Sequence, residues 1–338
     1  MNNDLSLRFV DIPYFLKTYH GDSFVAPNII LGGAQQLLFW EKIAIAQGGS
    51  LCLVEIRKKS YPLGLAVFMC KKIFSINRVS LLDSPCVPKE TLGLSYDSIL
   101  SFLVGNLPWK NVYLLHGVPN YLDPRARLSC DMGSPGKCWE TVCIHLLDKS
   151  IDDVISEMPK NGRRDVRRSL RENGYECFCV DPEDSLGVKE YVDFFRKEKG
   201  YDAYSGLDWQ KILSEGRKHN AMYVFGIKSK NELIASSTIF CSESLAKEAA
   251  IIKKSSRHDP YAGYRLKIYM LEWLIQRKIA LFDLAGVNPF PEMEKDKNIR
   301  GFKMKFGGEL IRYRILNTFT GLGRVAKFVA DWRKKVRG

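Results

Sequence analysis

"AMYVFGIKSKNELIASSTIFCSESLAKEAAIIK", residues 221–253, carries three strand-like runs separated by polar breaks. "AMYVFGI" (221–227) and "LIASSTIFC" (233–241) flank the turn "KSKNE", and "LAKEAAIIK" (245–253) follows. Runs of this length, rich in β-branched residues and bounded by turn formers, predict an antiparallel meander. Next, "RLKIYMLEWLIQRK" places Leu266, Met270, Trp273 and Leu274 on one helical stripe, with Arg265, Glu272 and Gln276 on a different side. The final run, "ALFDLAGVNP", reads as another strand. A meander, then a helix, then a strand gives a mixed sheet with helices packed on it.

The same order occurs earlier in the chain. "SLCLVEI" (50–56), a basic turn, "PLGLAVFMC" (62–70) and "RVSLLD" form a meander; "YDSILSFLVGNL" supplies a helix and "NVYLLHGVPN" a strand. Ser50 to Gly117 spans 67 positions and Ala221 to Gly286 spans 65. Element order, spacing and the "GVPN"/"GVNP" endings together predict a duplicated unit, in which Val112–His116 overlies Leu281–Ala285. The expected fold class is therefore α/β (mixed α+β), as two tandem domains, residues 1–140 and 141–320, each a mixed sheet flanked by helices. Residues 321–338 follow as a separate segment.

Composition narrows the class. At 338 residues, 46% hydrophobic and 12% aromatic, the chain can bury a core in each of two domains. Its longest apolar run, "LGLAVFMC", is far short of the ~18 residues a membrane-spanning helix needs. The N-terminus lacks a basic segment followed by an apolar one, so no secretory signal is expected. Nine cysteines without C-x-x-C pairs or zinc-ligand spacing predict free thiols, a reducing cytoplasmic location and no metal site. The five histidines, at positions 20, 116, 145, 219 and 258, are dispersed and read as structural or solvated.

Charge is concentrated. Of the net +13, residues 160–171 hold +5 and residues 324–338 another +5. Lys160, Arg163, Arg164, Arg167, Arg168 and Arg171 recur at helical spacing, so a helix starting after Pro159 would present them as one stripe. Ser150 with Asp153 marks the start of a preceding helix in a pattern close to a capping box. Val166 and Leu170 remain for docking. The stripe can be a solvated face or a phosphate-binding one. Like charges three and four residues apart repel, with only Asp165 and Glu172 for relief, which favours phosphate binding.

The strand–strand–strand–helix–strand order resembles the GNAT acyltransferase fold. Its duplication, with "NGRRDVRRSLRENG" opening the second copy, resembles FemABX-type peptidoglycan aminoacyltransferases and the related BioF2-like (CelD-type) acyltransferases. The strongest match is "LFDLAGVNP" followed by "IRGFKMKFGGEL", which resembles the "FDxxG … FKxxFGGE" stretch that closes the acceptor site in these families. The resemblance covers residues 140–320 well and residues 1–120 by architecture only. It implies direct transfer of an acyl or aminoacyl group to an amine acceptor: an envelope or peptidoglycan precursor, an amino sugar or another saccharide. Such a reaction needs positioning, stabilisation of the oxyanion and a route for the amine proton.

On that resemblance the candidate catalytic residues are Lys303, as acceptor-binding or oxyanion-stabilising cation, and Asp283, with Lys305 a bystander. Asp283 can equally be a turn-capping carboxylate. Donor or substrate contacts are expected from Lys160, Arg163, Arg164, Arg167, Tyr261, Gly263 and Asn288, although Asn288 can simply shape its loop and Tyr261 or Tyr264 can simply pack. Gly307 and Gly308 are expected to allow positive φ or a close ligand approach. CoA-dependent GNAT members carry a glycine-rich pyrophosphate loop before the helix; "RHDPYAGYRLK" has the single Gly263 and no such motif. Aminoacyl-tRNA is favoured as co-substrate, acyl-CoA stays open, and no tightly bound cofactor is expected. The tail "GLGRVAKFVADWRKKVRG" puts Leu322, Val325, Val329, Trp332 and Val336 on one stripe ringed by basic residues. It would either dock on the second domain or touch tRNA or the inner, anionic face of the membrane. A non-catalytic RNA- or membrane-binding protein that retains the fold is the rival reading.

Overall fold

The computed structural model describes residues 5–18, 34–59, 61–73, 76–82, 102, 106, 112–116, 138–201, 207–255, 259–314 and 316–319. The expected C-terminal amphipathic helix and Gly117, His20 and His258 lie outside these residues. So does the helix expected at 96–107, apart from Phe102 and Asn106.

The strands are β1 (Leu5–Val10), β2 (Ser50–Lys58), β3 (Tyr61–Ile73), β4 (Ile76–Leu81), β5 (Val112–His116), β6 (Cys138–His145), β7 (Tyr175–Cys179), β8 (Met222–Ser229), β9 (Glu232–Cys241), β10 (Leu245–Lys253), β11 (Leu281–Val287), β12 (Glu309–Arg314) and β13 (Leu316–Phe319). The helices among the described residues are α1 (Ile12–Thr18), α2 (Ala34–Ala46), α3 (Ile151–Glu157), α4 (Lys160–Arg171), α5 (Ser185–Lys199), α6 (Trp209–Lys218), α7 (Ala262–Gln276) and α8 (Glu294–Met304).

Two sheets result, of order β1-β2-β3-β4-β5-β13 and β12-β6-β11-β10-β9-β8-β7. Read from β7 inward, the second repeats the first position by position: three antiparallel steps, the parallel step β10–β11, then the antiparallel step to β6. The first sheet has three antiparallel steps, the parallel step β4–β5, then the antiparallel step to β13. Val112–His116 and Leu281–Val287 hold the same place, as the spacing predicts. The closing strands are exchanged. β6, next in the chain after β5, pairs with β11, while β13, at the far end, returns to β5. Two compact units follow: residues 140–310, and those before 140 together with those after 310. A contiguous second domain of 141–320 does not foresee this, because chain proximity says nothing about which sheet edge a closing strand completes.

Within residues 140–310, β9 alternates between two layers. Ile239 enters the core formed with α3, α4 and α7, whereas Thr238 meets the Tyr191 hydroxyl of α5 at 2.9 Å on the opposite face. Of the expected α7 stripe, Leu266, Met270 and Leu274 are at most 3% exposed and Trp273 is partly buried against the same core. Ser150 and Asp153 form the full capping box that starts α3. Pro159 is the N-cap of α4, consistent with a residue that suits a helix start and cannot continue the preceding helix.

Candidate active site

The parallel pair β10–β11 is in register only over Leu245–Lys247 and Leu281–Asp283, although β10 runs on to Lys253 and β11 to Val287. Each strand is irregular just beyond the paired segment, β10 between Glu248 and Ala250 and β11 between Asp283 and Gly286. The carboxyl ends of the two parallel strands therefore part, the position where open α/β sheets take their ligands. α7 begins beyond the end of β10 and α8 follows β11, so both helices bring side chains to this opening.

Asp283 is fully buried and pins the irregularity. One of its carboxylate oxygens accepts from the Thr141 hydroxyl and, at 2.7 Å, from the Ala285 amide. Ala285 is held at φ +64°, a left-handed conformation that costs a non-glycine residue about 1–2 kcal/mol. Lys303 lies in the last turn of α8, not on a strand, and is 8% exposed. Its ammonium donates to the Ala285 and Gly286 carbonyls, both at 3.2 Å, at the irregularity itself. Burial pushes its pKa below the usual lysine value; Glu248 and Asp283 work against that, and Lys267 adds to it.

Alongside lies a buried charge pair that sequence inspection missed. Lys267 of α7 pairs with Glu248 of β10, each side chain 3% exposed. One Glu248 oxygen also accepts from Ser237 at 2.6 Å, and its other oxygen has no hydrogen-bond partner among the described residues. Two charges inside otherwise apolar runs are the only sequence signal. Lys267 falls within the α7 pattern where a helix surface lysine would be unremarkable.

At the equivalent strand positions the first sheet carries uncharged residues. With Val112–His116 aligned to Leu281–Ala285, the two registers place Leu114 at the position of Asp283, Ser80 at that of Glu248 and Val67 at that of Ser237.

The cationic helix divides by face. Gly162, Asp165, Val166 and Ser169 are buried, while Lys160, Arg164, Arg167, Arg168 and Arg171 are exposed. Arg163 departs from the expected stripe: its guanidinium turns back to the Ser156 and Met158 carbonyls at 2.8 and 2.7 Å. The carbonyls at a helix C-terminus lack intrahelical partners, and a cation there is favourable, so Arg163 closes α3 and does not present itself to a ligand. Asp165 accepts from Lys305 at 2.7 Å, and the same ammonium donates to the Tyr264 hydroxyl at 3.0 Å. Lys305 is thus a structural tie between α4, α7 and the end of α8. A Cβ on Gly162 would stand 1.9 Å from the Lys305 carbonyl oxygen, so glycine permits α4 to lie directly on that backbone.

Three other candidates have local partners. Asn288 accepts from the Phe290 amide at 2.9 Å, an Asx turn that shapes its loop. Its backbone carbonyl takes a bond from Arg300, which also holds Glu140 at 2.6 Å. Gly263 is buried, and a Cβ there would meet Lys253 Nζ at 2.7 Å and Phe302 Cζ at 3.3 Å. Tyr261 is the N-cap residue of α7, without a side-chain cap bond of its own. Gly307 and Gly308 have φ of +73° and +93°, and a Cβ at Gly308 would meet the Cys143 carbonyl at 2.5 Å, so the backbone here needs both the positive φ and the close approach that glycine allows. Among the described residues no His/Cys/Asp/Glu cluster could hold a metal ion.

No protein-family model and no curated protein matches the chain. Solved structures do. FemX superposes with a TM-score of 0.58 at 11% identity, over 91% of this chain and 96% of that one. A tandem GNAT protein from the clavulanic acid biosynthesis pathway gives 0.54 at 11%, over 94% and 99%. The C-terminal domain of a putative lysylphosphatidylglycerol synthetase from Agrobacterium fabrum gives 0.50 at 13%, over 79% and 85%. With its duplicated sheet order and its parted parallel strands, the chain has a tandem GNAT fold similar to that of FemX.

Proposed function

We propose that this protein is an N-acyltransferase or aminoacyltransferase whose reaction takes place where β10 and β11 part. The observation that carries the reading is the buried ion set at that opening, Lys303 with Glu248 and Lys267; in the first sheet the strand position equivalent to Glu248 is held by Ser80. Transfer of an acyl group to an amine passes through a tetrahedral oxyanion and releases an amine proton. Lys303 commits two of its three N–H groups to the Ala285 and Gly286 carbonyls, which fixes its charge in place before the reaction begins. A preorganised cation stabilises the oxyanion without reorganisation. The Glu248 oxygen that has no hydrogen-bond partner among the described residues is suited to receive the amine proton. Asp283 acts as a positioning residue, holding the backbone on which Lys303 rests.

The donor suggested by the exposed face of α4 is aminoacyl-tRNA. Lys160, Arg164, Arg167, Arg168 and Arg171 are held along one exposed side of a rigid helix, a spacing suited to successive phosphates. The acceptor is an amine on an envelope precursor or saccharide, reached from the cytoplasm or from the inner face of the membrane. No helix of the described residues is long and apolar enough to cross a membrane.

The test is transfer itself. Full-length protein is incubated with labelled aminoacyl-tRNA, or with acyl-CoA, and a panel of amine acceptors. Labelled product that falls by about 10²–10³ in Lys303→Ala supports the reading. Tight RNA binding without transfer from any donor would leave only a binding protein with this fold.

A further inference from the structure

Two of the free cysteines meet on the first sheet. In the antiparallel ladder of β2 and β3, Cys52 stands opposite Phe68 and Cys70 opposite Ser50. Side chains alternate along a strand, so Cys52 and Cys70 lie on the same face as diagonal neighbours. The ladder is regular here, and its register shift comes later, between Ile56 and Arg57. Gly49 secures the pairing. A Cβ there would stand 2.6 Å from the Cys70 carbonyl oxygen, so glycine lets the start of β2 lie against that backbone. Along this face Val54, Ala66, Phe68 and Val79 are at most 1% exposed, the two cysteines are half-buried and Ser50 is exposed. The thiols therefore sit where the apolar core opens to solvent.

The pair has one easily lost proton. The Cys70 thiol donates to the Cys52 sulfur, which lowers Cys52 to about 7 against the opposing effect of burial; the Ser50 hydroxyl, 3.9 Å away, adds a smaller pull. The same bond, then burial and the Cys52 charge, raise Cys70. Two interacting groups titrate as a unit, so near neutrality the pair carries one thiolate beside one thiol. Thiol–disulfide exchange needs this combination: an attacking thiolate whose pKa is near the ambient pH, and a second thiol at hand to resolve the product. Cys177 and Cys179, which are also half-buried, are instead pushed up to about 11 by burial.

We propose that Cys52 and Cys70 form a reversible redox site that closes to a disulfide across β2 and β3 when it meets a low-molecular-weight disulfide. The Cys52 thiolate attacks one sulfur of that oxidant. A mixed disulfide forms, and the small thiolate released takes up the proton that Cys52 had given up. Cys70 then loses its proton and attacks the Cys52 sulfur, and the second small thiolate leaves with that proton. Two protein thiols are oxidised, and one small disulfide is reduced to two thiols. Diagonal neighbours stand wider apart than directly opposite ones, so closure draws the two strands together. A bond closed in this way is readily reduced again, as a reversible modification requires. The site lies on the first sheet and is independent of the acyltransferase reading.

The experiment holds the full-length chain at neutral pH with oxidised glutathione and reads intact mass and peptide maps. The expected product has lost two hydrogens, has Cys52 joined to Cys70, and returns to the dithiol with dithiothreitol. In Cys70→Ser the hydroxyl can still donate to Cys52 but cannot resolve the mixed disulfide, so one glutathione should stay on Cys52. With iodoacetamide, Cys52 of the reduced wild type should be alkylated about tenfold or more faster than Cys177 or Cys179, and Cys70→Ala, which removes the donor, should slow it. A wild type that keeps glutathione on Cys52 without closing, or that joins either residue to a different cysteine, would overturn the proposal. Alkylation of Cys52 no faster than that of Cys177 and Cys179 would overturn it equally.

Discussion

Lys305 and Asp165, 140 positions apart in the chain, are joined at 2.7 Å. Burial works against ionisation of Asp165, but the Lys305 bond and charge, then those of Arg164, outweigh it and hold the carboxyl below its ordinary range. Lys305 is raised above the usual lysine value, first by Asp165 and then by Tyr264. Lys305→Met is expected to cost roughly 1–3 kcal/mol, because a largely buried carboxylate loses its ammonium. A depressed carboxylate contributes stability above its unfolded pKa and loses it as pH falls through the folded value. A raised lysine contributes below its unfolded pKa and loses that as pH rises through the folded one. The wild type should therefore exceed the variant most between about pH 4 and 10, the two curves converging in acid. Urea melts across pH measure this; parallel curves would show that the pair contributes nothing.

Gly162 guards the same junction. Gly162→Ala places a methyl group 1.9 Å from the Lys305 carbonyl oxygen, a backbone atom that cannot turn away. α4 must lift off, at a cost of about 1–3 kcal/mol, despite the better helix propensity of alanine. An unchanged melting temperature would contradict the close approach.

Arg163 and Arg167 should separate stability from binding. Arg163→Glu breaks the bonds to the Ser156 and Met158 carbonyls and is expected to lower the melting temperature. Arg167→Glu, on the exposed face, should leave stability unchanged while weakening tRNA binding. It should also reduce the slope of log K against log salt by roughly 0.7–0.9 for each phosphate no longer neutralised. Filter binding at several salt concentrations distinguishes the two. Equal effects of both variants on stability would mean that the faces of α4 are wrongly assigned.

Lys303 should set the alkaline limit of the reaction. Burial lowers its pKa, and the cation is the form that stabilises an oxyanion, so activity should fall with rising pH below the ordinary lysine value near 10.5. A lysine depressed in the fold has the opposite effect on stability, which should rise as pH climbs from the folded to the unfolded pKa. Lys303→Arg, which stays charged, should move the alkaline limb upward if it retains activity. A limb that stays in place in an active arginine variant would assign it to another group.

The strand exchange predicts a dependence on chain length. A chain ending at Arg314 lacks β13 and leaves the hydrogen-bonding edge of β5 open, whereas one ending at Thr320 keeps it. The shorter chain should be the less stable and the more prone to aggregate, since an open strand edge is a template for pairing. Light scattering and thermal melts of the two compare them directly; equal behaviour would make β13 dispensable.

The sequence by itself determined the elements and their order. Alternating and helical apolar patterns, the Ser150–Asp153 cap and Pro159 are local signals, and the repeat at nearly equal spacing made the duplicated sheet legible. The cationic face of α4 was legible for the same reason: helical periodicity alone places its charges on one side. Tertiary structure decided what depends on partners far along the chain. Which edge β6 and β13 complete is a question of long-range pairing. Glu248 with Lys267, Lys303 with the carbonyls of Ala285 and Gly286, and Asp165 with Lys305 are joined across 17 to 140 positions. A lysine in a sequence has the same appearance whether it is solvated or buried, and only the fold sets the burial and the neighbours that determine its pKa. Arg163 shows the limit at short range. Its side chain turns to the Ser156 and Met158 carbonyls, which become unpaired only once α3 ends, and no spacing of residues encodes that.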